Sequence, residues 1–151
     1  MTDSTGKGVL EAAGFIQVAD GGRPGDLAGL LDVTNVERLA EALAERLPNG
    51  TDGLVSGFDS TDVLIAHTIS RLSSLPRVLI YDVEGVAQAR GRLSTGSHAC
   101  LVAGSFSSPW VLDEFEAICG TWSVVPMGAV VAVDLLPEPD SRVRSLIRPS
   151  W

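Results

Sequence analysis

Ser97-His-Ala-Cys-Leu-Val-Ala103, Gly104-Ser-Phe-Ser-Ser108, Pro109-Trp-Val-Leu-Asp-Glu-Phe-Glu-Ala-Ile-Cys119 and Ala129-Val-Val-Ala-Val-Asp-Leu135 read in turn as strand, loop, helix and strand. His98 to Ala103 is an apolar run suited to a strand buried on both faces, with its stop expected at Gly104. Ser108 before Pro109 predicts a helix start: the hydroxyl caps, and the proline sits near N1, where its missing N–H costs nothing. Val111, Leu112, Phe115, Ile118 and Cys119 then recur at helical spacing, with Asp113, Glu114 and Glu116 on the other side and Gly120 at the end. Val124, Val125 and the run from Ala129 supply the next strand. In open α/β sheets, ligands sit where a loop leaves a strand's carboxyl end and feeds a helix N-terminus, because unpaired amides and the helix dipole point there. Gly104, Ser105, Phe106, Ser107 and Ser108 are therefore the first site candidates.

A chain of 151 residues fits one domain, taken here as 1–151, and its 45% hydrophobic and 20% charged content argues for a buried core and against disorder. A formal net charge of −8 disfavours nucleic acid and anionic membranes as partners. Lys7 is the only lysine, so an anionic substrate would have to be met by arginines, backbone amides or a metal ion. The apolar runs are too short to span a bilayer, and Met1-Thr-Asp-Ser-Thr5 has no charged and apolar leader pattern, which predicts a cytoplasmic protein. Cys100 and Cys119 fall on apolar faces and read as buried free thiols. His67 and His98 lack ligand-spaced companions and read as structural.

Upstream, Gly8 to Ala13 predicts a short helix, Phe15 to Val18 an extended piece, and Ala19 to Gly25 a loop. Thr34 or Asn35 can cap a helix whose Val36, Leu39, Ala40, Leu43 and Leu47 share a face. Gly53 to Gly57 is a short strand. Phe58-Asp-Ser-Thr-Asp62 is a second loop from strand to helix, with Ser60 or Thr61 as cap for a helix running to about Leu72. Arg77 to Asp82 is a third strand, Glu84 to Gly96 a polar excursion, and Arg142 to Trp151 a basic tail that packs on the body. Strands alternating with helices at these intervals predict an α/β fold: a doubly wound, mainly parallel sheet with helices on both faces. Right-handed crossovers then place the loops after Gly57, Asp82 and Ala103 along one edge.

The succession of Val9-Leu-Glu-Ala-Ala-Gly-Phe15, the helix from Val36 to Ala44, the strand Asp52 to Gly57 and the run from Ser97 to Asp134 resembles a phosphoribosyltransferase of the orotate type, over roughly residues 8 to 136. The resemblance implies a parallel sheet flanked by helices (core 34–136, tail 137–151), a small N-terminal hood (9–33), and usually a homodimer. It also implies a strand ending in two adjacent acids that hold the ribose hydroxyls of phosphoribosyl pyrophosphate, followed by a threonine- and glycine-rich loop for its 5-phosphate. Gly104 and Ser105 stand where those acids belong, and Pro109 removes an amide from the phosphate cradle. The loop that should approach pyrophosphate carries Asp59 and Asp62, which repel it unless a metal ion intervenes. The mobile loop of orotate enzymes brings lysines; here it offers Arg90 and Arg92.

Each of these residues has a plainer reading beside the functional one. Asp59 and Asp62 can complement a helix dipole or hold Mg²⁺, and Ser107 and Ser108 can cap a helix or touch phosphate. Asp82 and Glu84 can be solvated strand-end acids, Arg90 and Arg92 a solvated loop, and Phe106 and Trp110 lid, dimer or core residues. The expectation is a phosphoribosyltransferase-like protein that has lost phosphoribosyl transfer and binds a small anionic ligand or a protein partner, with no cofactor required. One alternative is an active orotate- or purine-type transferase that uses Mg²⁺, with Arg90 or Arg92 supporting the departing pyrophosphate. The other is a non-catalytic subunit paired with an active paralogue.

Overall fold

Along the chain from Ala99 to Ala103 successive side chains point to opposite sides of a sheet, and every one of them is buried, so both sides must be covered. A computed structural model, which describes residues 33–106 and 108–148, shows how. Its elements are α1 (Val33–Ala44), β1 (Gly53–Ser56), α2 (Ser60–Ser73), β2 (Arg77–Val83), β3 (Val86–Arg90), β4 (His98–Phe106), α3 (Trp110–Thr121), β5 (Val125–Asp134) and β6 (Val143–Ile147). They build a six-stranded sheet in the order β3-β2-β1-β4-β5-β6. All its pairs are parallel except β2 with β3. The four strands read from the sequence lie side by side, so the predicted doubly wound fold is the observed one.

Two cores result. On one side Leu39 and Leu43 of α1 and Ile65 and Ile69 of α2 pack on Leu54, Cys100, Val102 and Val130. On the other, Leu112, Phe115 and Cys119 of α3 pack on Val55, Val78, Leu101 and Val131. Burying a residue of the size of Leu39 or Phe115 is worth about 1.5–3 kcal/mol, which is why the spacing of apolar residues rather than helix propensity fixes these helices. Among the described residues, no helix is long and apolar enough to cross a membrane.

Several boundaries differ from the sequence reading, each for a local reason. Helix α1 already includes Thr34 and Asn35, so neither precedes it as a cap, and it ends at Ala44. Beyond that, Arg46 and Leu47 turn back to the carbonyls of Leu43 and Ala44 in 3₁₀ fashion, because Pro48 disfavours helix at the residue before it. Strand β4 does not stop at Gly104; Ser105 and Phe106 continue the ladder against Val133 and Asp134 of the long β5. Helix α3 likewise runs one residue past Gly120.

The polar excursion from Glu84 to Gly96 contains strand β3. Glu84 and Gly85 both have positive φ, 54° and 81°, as a two-residue hairpin turn requires, and the Gly85 N–H donates to Asp82 Oδ1 at 2.8 Å. The tail contributes β6, parallel to β5. The two strands approach closely at Gly128, where φ is 85° and a Cβ would collide with the carbonyl oxygen of Arg142. The hood expected over residues 9–33, apart from Val33, lies outside the described residues, as do Ser107 and Trp151.

Candidate functional site

The parallel strands β1, β2 and β4 end on one edge, where the loops into α2 and α3 begin. In the first loop the cap of α2 is Asp59, not Ser60 or Thr61: with φ −63° and ψ 139° it is extended, and its Oδ1 accepts from the Thr61 N–H at 2.9 Å. Ser60 and Thr61 are the first two residues of the helix. Asp62 follows in the first turn and reaches across to β4, where its Oδ1 accepts from the Gly104 N–H at 2.8 Å. Burial pushes the Asp62 carboxyl up to about 6; the Gly104 bond opposes that shift and the charge of Asp59 adds to it.

The second loop is capped differently from the expectation. Pro109 occupies the N-cap of α3 in helical conformation with no side-chain cap, so the Ser108 hydroxyl does not serve as one. The N–H groups of Val111 and Leu112 are turned to the carbonyls of Ser108 and Pro109 at 3.4 and 3.1 Å. Ser107 and the side chain of Phe106 are not described. Trp110 opens the helix 59% exposed, so it is not a core residue.

Between α3 and the sheet lies a cavity of about 380 Å³. Its floor includes Ile80 and Asp82 of β2, Ala87 of β3 and Leu101, Ala103 and Ser105 of β4; its wall is Trp110, Val111, Glu114, Phe115 and Ile118 of α3; Gly57 and Asp62 border it. The size lies within the range of small-molecule sites. Among the described residues its charged lining groups are Asp62, Asp82 and Glu114, which would repel the anionic ligand expected from the sequence. Glu114, expected with Asp113 and Glu116 on the side of the helix opposite its apolar face, lines the cavity. Trp110, Glu114 and Ile118 recur every four residues, a spacing that carried this information.

The two arginines are not brought to this cavity. Arg90 pairs with Leu79 in the hairpin and so shares the opposite face with Tyr81. Its guanidinium lies 5.8 Å from the Tyr81 ring and 6.0 Å from the Phe58 ring, and those two rings are themselves 5.4 Å apart. Arg92 lies at the other end of the sheet, lining a separate cavity with Leu93, Thr95 and Trp122. His98 begins β4 at that same end, beside Asp52, and is exposed, as is His67. Cys100 and Cys119 are buried free thiols, pushed by burial up to about 12 and about 11.

The Mg²⁺ ion expected only for the active-transferase alternative would need oxygen ligands at this edge. Asp59 and Asp62 each give one oxygen to a backbone amide, and Gly104 and Ser105 provide no carboxylate. Among the described residues no group of three His, Cys, Asp or Glu side chains is placed to hold a metal.

No family model matches the sequence, and no curated protein is similar to it in sequence. Solved structures are similar. Adenine phosphoribosyltransferase from Saccharomyces cerevisiae, complexed with an imino-altritol bisphosphate and adenine, is 13% identical with a TM-score of 0.70, over 95% of this chain and 99% of that one. Adenine phosphoribosyltransferase from Leishmania donovani is 11% identical with a TM-score of 0.68, over 87% of this chain and 68% of that one. Orotate phosphoribosyltransferase from Francisella tularensis is 16% identical with a TM-score of 0.54, over 67% and 52%. At these identities the likeness is one of fold. The order of parts read from the sequence as the orotate type is shared with adenine enzymes.

Proposed function

We propose that this chain, which has the phosphoribosyltransferase fold, does not transfer phosphoribose and works by binding. One observation carries the reading. At the end of β4, where the fold's transferases present two acids to ribose, Gly104 N–H is already taken by Asp62, and Ser105 offers a single neutral hydroxyl. A hydrogen bond to a charged group contributes about 1.5–3 kcal/mol, so losing two weakens sugar binding by a few powers of ten. Asp59 at the cap of α2, Asp62 in its first turn and Asp82 on β2 add repulsion for a polyanion at the same edge. Neither Mg²⁺ nor another cofactor is required in this reading.

The test is calorimetric titration with phosphoribosyl pyrophosphate and Mg²⁺, followed by incubation with each common nucleobase and assay of released pyrophosphate. Neither binding heat at millimolar ligand nor pyrophosphate release is expected. Sustained turnover with any base, abolished by S107A/S108A, would overturn the reading.

The protein partner of this reading is a second copy of the chain. Support comes from exposed apolar side chains on the face of the β2–β3 hairpin opposite the cavity, where Val83 pairs with Val86 and where Phe58, 56% exposed, packs on Tyr81. Light scattering is expected to give twice the chain mass at tens of micromolar; a monomer mass at that concentration excludes the homodimer.

A further inference from the structure

We propose that the cavity between α3 and the sheet takes a flat organic cation, an aromatic amidinium or ammonium compound; this rests on the reading that the protein acts by binding. The walls are apolar, with Ile80, Leu101, Val111, Phe115 and Ile118 facing one another across a space large enough for an aromatic ring. Carboxylates enter that space from three different elements: Asp62 from α2, Asp82 from β2 and Glu114 from α3. Among the described residues no lysine or arginine lines it, and Arg90 is held on the other face by Phe58 and Tyr81.

The partners of these acids show what is left over. On α3, Arg142 bridges Asp113 at 2.9 Å and Glu116 at 3.2 Å, while Glu114, on the cavity side, has no hydrogen bond or ion pair among the described residues. Asp62 and Asp82 each accept a backbone N–H on Oδ1, from Gly104 and Gly85, which fixes the carboxylates and leaves their second oxygens without a hydrogen bond among the described residues. A planar donor fork matches a carboxylate in two parallel hydrogen bonds, and an aromatic body attached to it matches the apolar walls. Trp110, exposed and lining the same cavity, supplies an aromatic ring suited to a positive charge. A bare metal ion would leave the apolar walls unused.

Three probes of one shape separate the possibilities: benzamidinium, neutral benzamide and anionic benzoate, titrated calorimetrically into the full-length protein at low salt. Benzamidinium is expected to bind about tenfold more tightly than benzamide, and benzoate not at all. Glu114→Gln, an isosteric change at a partly buried position, is expected to weaken benzamidinium about tenfold and leave benzamide unchanged, and Asp82→Asn to act in the same direction. Binding of benzoate at least as tight as that of benzamidinium, no binding of any probe, or benzamidinium affinity indifferent to both variants would overturn the proposal. Pyrophosphate release in the transferase assay would instead sink the non-transferring reading, whatever the three probes do.

Discussion

Replacing Arg148 by Ala is expected to cost about 3 kcal/mol of stability, the low end of what breaking a buried ion pair costs. Asp134, the last residue of β5, is only 5% exposed. Its carboxylate accepts from the Leu136 N–H at 2.9 Å and from Arg148 Nη1 at 2.6 Å, while Arg148 Nη2 donates to the Leu136 carbonyl at 2.7 Å. One guanidinium thus ties the end of β5 and the turn after it to the segment leaving β6. Removing it leaves a buried negative charge with a single hydrogen bond and a carbonyl without its donor. Because the Arg148 side chain is 30% exposed, water can reach part of the vacated space, which keeps the loss at the low end. Urea unfolding should show a lower midpoint with an unchanged slope. The double variant D134N/R148M should recover much of the loss, since replacing both partners removes the uncompensated charge. A loss below about 1 kcal/mol in R148A would mean the pair behaves as a surface contact.

Asp62→Asn should make the protein more stable at pH 8 than the parent chain, by an amount that shrinks on acidification. In the folded state the Asp62 carboxyl is raised to about 6, first by burial and, more weakly, by Asp59, against the lowering effect of the Gly104 N–H. A carboxyl raised above its unfolded value contributes stability that is fully present below about pH 4 and is lost as pH rises through 6. Above that, the ionised group costs on the order of 2–3 kcal/mol relative to its protonated form. Asn keeps the acceptor for the Gly104 N–H and carries no charge. The stability difference between variant and parent should therefore change by that amount between pH 4 and pH 8, with most of the change between 4 and 6. Other carboxylates cancel in the difference. Parallel stability curves across that range would show that Asp62 is not held in its raised state.

The parallel centre of the sheet was legible because burial on both faces leaves a dense record. Leu39 with Leu43 and Ile65 with Ile69 recur at helical spacing, and Ala99 to Ala103 leave no polar position. Strand β3 left no such record: all five residues from Val86 to Arg90 are exposed, so no alternation of buried and exposed positions marks them. Strand β6 buries only Leu146 among its five residues and is flanked and interrupted by Arg142 and Arg144. At the site, the sequence reading put Asp62 on the loop before the helix, whereas it stands in the helix's first turn, and its partner Gly104 lies 42 positions away, a pairing that only the tertiary fold creates. Ser108 before Pro109 carries the pattern of a capped helix start, yet the proline itself took the cap position, because its fixed φ suits the first turn without help from the serine.

The unequal pairing of the sheet has a consequence for how quickly it assembles. Strands β2 and β3 are joined by a two-residue turn, and such hairpins close in microseconds. Strand β1 meets β4 only after the chain between Leu54 and Cys100 has looped back on itself with a helix and a hairpin inside it. The entropy of that closure is paid before any contact rewards it, and parallel pairing offers no shorter route. Refolding is therefore paced by the middle of the sheet: the hairpin at its edge forms early and often, and the molecule waits for β1 to find β4.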